Sequence, residues 1–145
     1  MEVRFEPASS LTREVDFSPL WETRGIYVVY STGMHFRHTR GGNDIAYIGC
    51  GWIGERLHKH VNGNGNHDLF QLLPEHGPGR GYLRFVFGET GTEVGARTAE
   101  SALLPLFYER YGSLPFCNRR DEVPPPSRIK EVTFNRDFIL ERHAG

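Results

Sequence analysis

At 145 residues, 38% hydrophobic and 24% charged, the chain has the size and balance of one globular domain with a real core, which excludes a disordered segment. No apolar run approaches the roughly 20 residues of a membrane span. The opening Met1-Glu2-Val3-Arg4 lacks the layout of a signal peptide, so the cytoplasm is the expected location.

Residues 1–23 show little periodicity, with Pro7-Ala8-Ser9-Ser10 and Ser18-Pro19 as breakers, and read as an N-terminal extension packing through Phe5, Phe17, Leu20 and Trp21. Gly25-Ile26-Tyr27-Val28-Val29-Tyr30 is a β-branched and aromatic run, a strand. The polar segment from Ser31 to Asn43 predicts a loop or wide hairpin, and Ile45 to Cys50 a second strand pairing antiparallel with the first. Ile53, Leu57 and Val61 recur at i, i+4, i+8 and predict a helix over 53–61, stopped by Gly63-Asn64-Gly65-Asn66. Asp68 to Leu73 predicts a short helical turn, 77–81 a flexible turn and Tyr82 to Gly88 a third strand. Thr98 is an N-cap residue for a helix from Ala99 to Tyr111, kinked at Pro105 and closed by Gly112. Pro124-Pro125-Pro126 reads as a stiff spacer, with a short strand over 131–134 and a short helix over 137–142 after it.

The net charge of −1 supplies no global attraction for polyanions, so a nucleic-acid partner would need local positive charge. Such charge concentrates at Arg24, Arg37, Arg40, Arg56 and Lys59, with His35, His38, His58 and His60 among them. A second cluster comprises Arg119, Arg120, Arg128 and Lys130. Most of these are arginines, whose planar fork grips phosphate better than an ammonium. An ordinary solvated surface would also account for them. Cys50 and Cys117 are expected as free thiols and are too few for a cysteine zinc cluster. Gly49-Cys50-Gly51-Trp52-Ile53-Gly54 spells the dinucleotide-binding pattern between a strand and a helix. That reading fails on its context: the helix runs into a Gly/Asn loop with no crossover to a parallel strand, and no strand precedes Asp68, the residue near the ribose-binding distance.

Tyr27 and Tyr47 sit mid-strand, where aromatics usually just pack. Arg56 and His60 share a helix face at a spacing of four. Glu100 falls in the first turn of the expected second helix, where a carboxylate complements the dipole. Taken in order, Gly25-Ile26-Tyr27, then Tyr47-Ile48-Gly49, Arg56 with His60, Glu100 and Asn118 resemble the GIY-YIG nuclease family. The resemblance spans roughly Arg24 to Arg119, about two-thirds of the chain. Two features depart from the usual pattern. The gap between the tyrosines is longer than the family's short hairpin, and Tyr47 to Arg56 is about one residue tighter, although Arg56 is the only arginine in its helix.

The resemblance implies a small α/β (α+β) fold, a central three-stranded antiparallel sheet flanked by helices. It implies one domain over 1–145: a catalytic core at 24–119, the extension 1–23 and a tail 120–145 packing on or near the core. It implies endonucleolytic hydrolysis of DNA with one Mg²⁺ or Mn²⁺ held by Glu100. Arg56 would hold the scissile phosphate. Tyr27 and Tyr47 would orient the attacking water, either one taking its proton. His60 would relay the proton or bind phosphate, and Asn118 would buttress the site. Arg37, His38 and Arg40 in the insertion, with Lys59, Arg119 and Arg120, are the candidate nucleic-acid contacts. The chain would act as a monomer or homodimer. The competing readings are a catalytically silent nucleic-acid-binding module of the same fold and an RNA-cleaving toxin or effector, since RNA offers its own 2′-hydroxyl.

Overall fold

The computed structural model describes residues 1–77, 81–119, 123–124 and 132–135. Its elements in chain order are β1 (Glu2–Val3), β2 (Ser9–Ser10), a 3-10 turn (Ser18–Leu20), β3 (Arg24–Ser31), β4 (Phe36–His38), β5 (Gly41–Asn43) and β6 (Ile45–Trp52). They continue with α1 (Ile53–Val61), α2 (His67–Gln71), a second 3-10 turn (Pro74–His76), β7 (Leu83–Glu89), α3 (Glu93–Tyr111) and β8 (Thr133–Phe134).

The main sheet is antiparallel throughout, in the order β2-β7-β3-β6. Three strands were expected; the fourth, β2, is a two-residue serine pair from the N-terminal extension, too short to show a period. Strand β3 lies between β7 and β6, which is why it is buried from Gly25 to Ser31 while β6 forms the sheet edge. Side chains alternate across a strand. Ile26, Val28, Tyr30, Ile48 and Val86 therefore pack on Ala99, Ala102, Leu103, Phe107 and Tyr111 of α3. On the other face Tyr27, Val29 and Phe85 meet Ile53, Leu57 and Val61 of α1, Leu69 of α2, and Leu11 and Phe17 of the extension. The β3–β6 register shifts at Val29/Tyr30, leaving Ala46 as the extra residue of a bulge. Past that bulge, Tyr47 and Gly49 face α1, while Ile48 and Cys50 face α3.

Helix α1 keeps the expected bounds, because three buried apolar residues at spacing four hold it on the sheet. The second long helix does not. It begins at Glu93, capped by Thr92, whose hydroxyl oxygen accepts the Gly95 N–H at 2.9 Å. Thr98 lies inside it and donates its own hydroxyl to the Val94 carbonyl at 2.8 Å. Glu100 consequently sits in the third turn, where the helix dipole no longer explains its charge. Pro105 is buried within a helix that continues to Tyr111, and Gly112 closes it in a left-handed conformation at φ 80°.

The 31–43 segment holds a hairpin, β4–β5, with Phe36 and Asn43 buried. In the extension Phe5 and Phe17 are buried and Leu20 is partly so, whereas Trp21 stays exposed, with its ring against the edge of His58. Strand β8 pairs in parallel with β1, apart from the main sheet. The expected tail helix over 137–142 and most of the proline spacer and the 77–81 turn lie outside the described residues. No described helix is long and apolar enough to cross a membrane.

Gly25 allows the central pairing: a Cβ there would collide with the carbonyl oxygen of Gly88 on β7. Gly25→Ala is expected to destabilise the protein by at least ~2 kcal/mol, the scale of core overpacking. Urea denaturation measures this, and a wild-type midpoint would show that β3 and β7 separate without strain.

Candidate active site

Tyr27 is completely buried, 0% exposed, so its hydroxyl must find a partner inside the α1 layer. It finds His60, with Oη to Nε2 at 2.7 Å. The His60 ring is fixed from its far side, where Nδ1 accepts the backbone N–H of Asn66 at 3.0 Å. A backbone N–H can only donate, so in the neutral ring the proton sits on Nε2 and is donated to the Tyr27 oxygen. The loop closes this tightly because a Cβ at Gly65 would strike His60 Nδ1. Asn66 caps α2 through its side-chain oxygen and donates to the Cys117 carbonyl at 2.8 Å.

Tyr47 comes to the same place from the edge strand, its ring 6.0 Å from that of Tyr27 and 5.2 Å from that of His60. Gly49 permits this arrangement, since a Cβ there would lie 2.5 Å from the Tyr27 oxygen and 2.8 Å from the Tyr47 ring. Gly51, at φ 131°, adopts a backbone conformation that favours glycine, with the aliphatic stem of Arg56 passing over it. The Arg56 guanidinium lies close enough to both phenols to act electrostatically on each, while the residue as a whole stays exposed. Glu100 arrives from α3, on the other side of the β6 edge, and interacts with Arg56, with Tyr47 and with the Cys50 thiol. Asn118 does not touch the phenols. Its side chain brackets Ile48, accepting the Ile48 N–H at 3.0 Å and donating to the Ile48 carbonyl at 2.9 Å, and so pins the strand that carries Tyr47.

Burial raises the Tyr27 pKa well above that of a free phenol; nearby Tyr47 adds to the rise and Arg56 opposes it. Burial also raises Tyr47, opposed by Arg56 and reinforced by Glu100. For Arg56, burial works against the charge, but the two phenol oxygens outweigh it and its pKa is raised. Burial raises the Glu100 carboxyl, against the Cys50 thiol and the positive charges of Arg56 and Arg97. Burial, then Glu100, pushes Cys50 up to about 12, which keeps it a thiol at neutral pH. Burial and then Arg56 bring His60 down to about 4, so it is neutral at pH 7. The resting site at neutral pH therefore holds one guanidinium and two protonated phenols around a neutral imidazole, with the Glu100 carboxyl beside them.

Beside this group lies a cavity of about 510 Å³, lined chiefly by polar residues including Tyr47, Asp68, Glu100, Asn118 and Arg119. No protein-family model, curated protein or solved structure matches this chain.

The structure gathers Tyr27, Tyr47, Arg56, His60 and Glu100 around the β6 edge, with Asn118 supporting them and Arg119 on the cavity wall. It places the other candidate contacts elsewhere. His38 bonds to the Ser113 hydroxyl and packs on Phe107 and Tyr111, and the Arg40 guanidinium donates to the Tyr108 carbonyl at 3.1 Å. Both therefore fasten the hairpin to the C-terminal end of α3, about 10 to 16 Å along the helix from Glu100 at about 1.5 Å per residue. Arg37 is exposed on the same hairpin. Lys59 lies on the exposed side of α1, 3.0 Å from Glu55. Arg120 lies outside the described residues. From the sequence, Cys50, Asn66 and Asp68 take other roles and have no place in this site. The alternation past the β6 bulge was the one available signal that Cys50 leaves the tyrosine face.

The buried neutral imidazole makes stability depend on pH. The unfolded chain binds the His60 proton near the usual 6.5 and the folded chain only near 4. The unfolded state thus holds more protons in that window, and stability, complete above 6.5, falls as pH drops toward 4 by on the order of 3 kcal/mol. Urea midpoints across pH 4–7 test this: His60→Gln should flatten the dependence, and a flat wild-type profile would refute the assignment.

Proposed function

We propose that the chain is a divalent-metal-dependent endonuclease of the GIY-YIG kind, hydrolysing nucleic-acid phosphodiester bonds at the β6 edge. The supporting observation is the convergence of the Arg56 guanidinium, two phenols and the Glu100 carboxylate beside one open, polar cavity. The donor set suits Mg²⁺ or Mn²⁺. Among the described residues no three His, Cys, Asp or Glu side chains form a metal cage. A hard cation that keeps its waters needs only one carboxylate and the phosphate itself. Glu100 would hold the ion, which when bound supplies Lewis-acid stabilisation of charge on the phosphate and the leaving oxygen.

The residues of the chain divide the remaining work. Arg56, exposed yet anchored on two phenols, grips the scissile phosphate through its planar fork and stabilises the negative charge that builds in the transition state. Tyr47 borders the cavity and is only partly buried, so its phenol oxygen orients the attacking water, and the fraction that has first lost its own proton to solvent takes the water's proton as a phenolate. Tyr27 is sealed from solvent and positions Arg56. His60 is a positioning residue too: its one acceptor nitrogen is occupied by Asn66, so its other nitrogen holds the Tyr27 oxygen and leaves no lone pair for a relay.

Glu100→Gln is expected to abolish Mg²⁺-dependent cleavage of a plasmid, assayed beside an EDTA control, with the melting temperature kept. Full activity in that variant removes the metal ligand from the scheme. Arg56→Lys should lose at least ~10²-fold in turnover, the scale of one missing charge-stabilising donor, because an ammonium cannot span two phenols and a phosphate. If the Tyr47 phenolate is the base, its raised pKa makes the rate climb with pH from 7 toward 10 with no plateau. Tyr47→Phe should flatten that climb. Tyr27→Phe should lower the rate and leave the slope, and the opposite result would exchange the two roles.

A further inference from the structure

The β6 strand ends in a feature that neither the core nor the reaction uses. Trp52, its last residue, is 39% exposed and belongs to neither apolar cluster. Across the strand pair stands Arg24, whose guanidinium carbon lies 3.8 Å from the indole centroid. A guanidinium held over an exposed indole makes a cation–π pair of two planar groups. Its place is fixed by the strand. Cys50, two residues earlier on the same face, touches Glu100, and about 3.3 Å per residue puts Trp52 about 6.6 Å further along the edge. The charges along this stretch are Arg24 over the indole, Arg56 over Gly51, and Arg97, which acts on both Cys50 and Glu100 and pairs with Glu93 at 2.6 Å.

We propose that Trp52 on Arg24 is a stacking shelf for an unpaired nucleobase, that of a nucleotide flanking the phosphate held at Arg56 and Glu100. The substrate class that follows is single-stranded or branched nucleic acid, not uninterrupted duplex. A base inside a duplex already has both faces covered by its neighbours, whereas an unpaired base offers one to an indole or a guanidinium plane. Stacking tolerates any base, so the shelf reads strandedness and not sequence. This inference rests on the nucleic-acid reading of the site, and its test is arranged so that the two can fail separately.

The other tryptophan, Trp21, is also exposed, at 44%, and its ring meets the edge of His58. In a Trp21→Phe protein the emission comes from Trp52 alone. With EDTA present to prevent cleavage, a short oligothymidylate should quench that emission, while a blunt duplex of the same length should leave it unchanged. By fluorescence anisotropy, Trp52→Ala should bind the labelled single strand at least ~5-fold more weakly, the low end of what one lost base–aromatic stack costs. Trp52→Phe should recover most of that loss. Binding of the single strand with unquenched Trp52 emission, or equal affinity in Trp52→Ala, overturns the shelf and leaves the nuclease reading standing. Equal quenching by blunt duplex overturns the preference for unpaired bases. Absence of binding to either polymer form overturns both readings.

Discussion

A tyrosine in the middle of a central strand carries its hydroxyl into an apolar layer, where an unpartnered hydroxyl costs about 1–3 kcal/mol. Tyr27 meets that constraint by bonding His60, and His60, itself 2% exposed, meets its own by taking the Asn66 N–H. Asn66 passes the connection on to the Cys117 carbonyl, and the Cys117 N–H returns it to Ala46 on β6. One polar chain thus crosses the α1 layer and ties α1, the 63–66 loop, the segment after α3 and the edge strand into a single frame. The phenol of Tyr27 is the inner end of that frame, and Arg56 rests on it.

The frame also decides how charge is distributed. A guanidinium beside two phenols has no full counter-charge from them, and Glu100 is the carboxylate that interacts with it. The Arg56–Glu100 attraction gives each group a partner that offsets part of its desolvation. The neutral His60 belongs to the same balance: a second positive group next to Arg56 would compete for the phenol oxygens, and burial together with Arg56 prevents it.

Much of this was legible in the sequence where a period or a fixed order carried it. The β3, β6 and β7 strands and α1 follow from apolar runs and a spacing of four, and the antiparallel α/β arrangement follows from them. Tyr27, Tyr47, Arg56, His60 and Glu100 were found by their order along the chain. What failed had no local signal. The first turn of α3 is built on small buried residues, Gly95 and Ala96, which show no apolar stripe, so Thr98 looked like the cap that Thr92 is. Strand β2 is two serines. Cys50 meets Glu100, and Asn66 meets Cys117, only once residues fifty apart have been brought together, and no spacing rule announces such encounters. His38 and Arg40 were read by charge alone, whereas the fold uses both to fasten a hairpin to a helix end.

The position of the site at a sheet edge ties these observations together. An edge strand offers unpaired backbone groups and must be covered or put to use. The start of β6 is covered: Cys117 bonds Ala46, and the Asn118 side chain takes both the N–H and the carbonyl of Ile48. Past Ile48, β6 pairs only with β3 among the described residues, and here the strand carries two glycines, a thiol against Glu100 and an exposed tryptophan. The glycines let groups from both faces of the sheet approach around the edge, which a central strand could not allow. The edge is thus half sealed and half open, and its open half sets a cation, a carboxyl and an aromatic plane along Gly49 to Trp52.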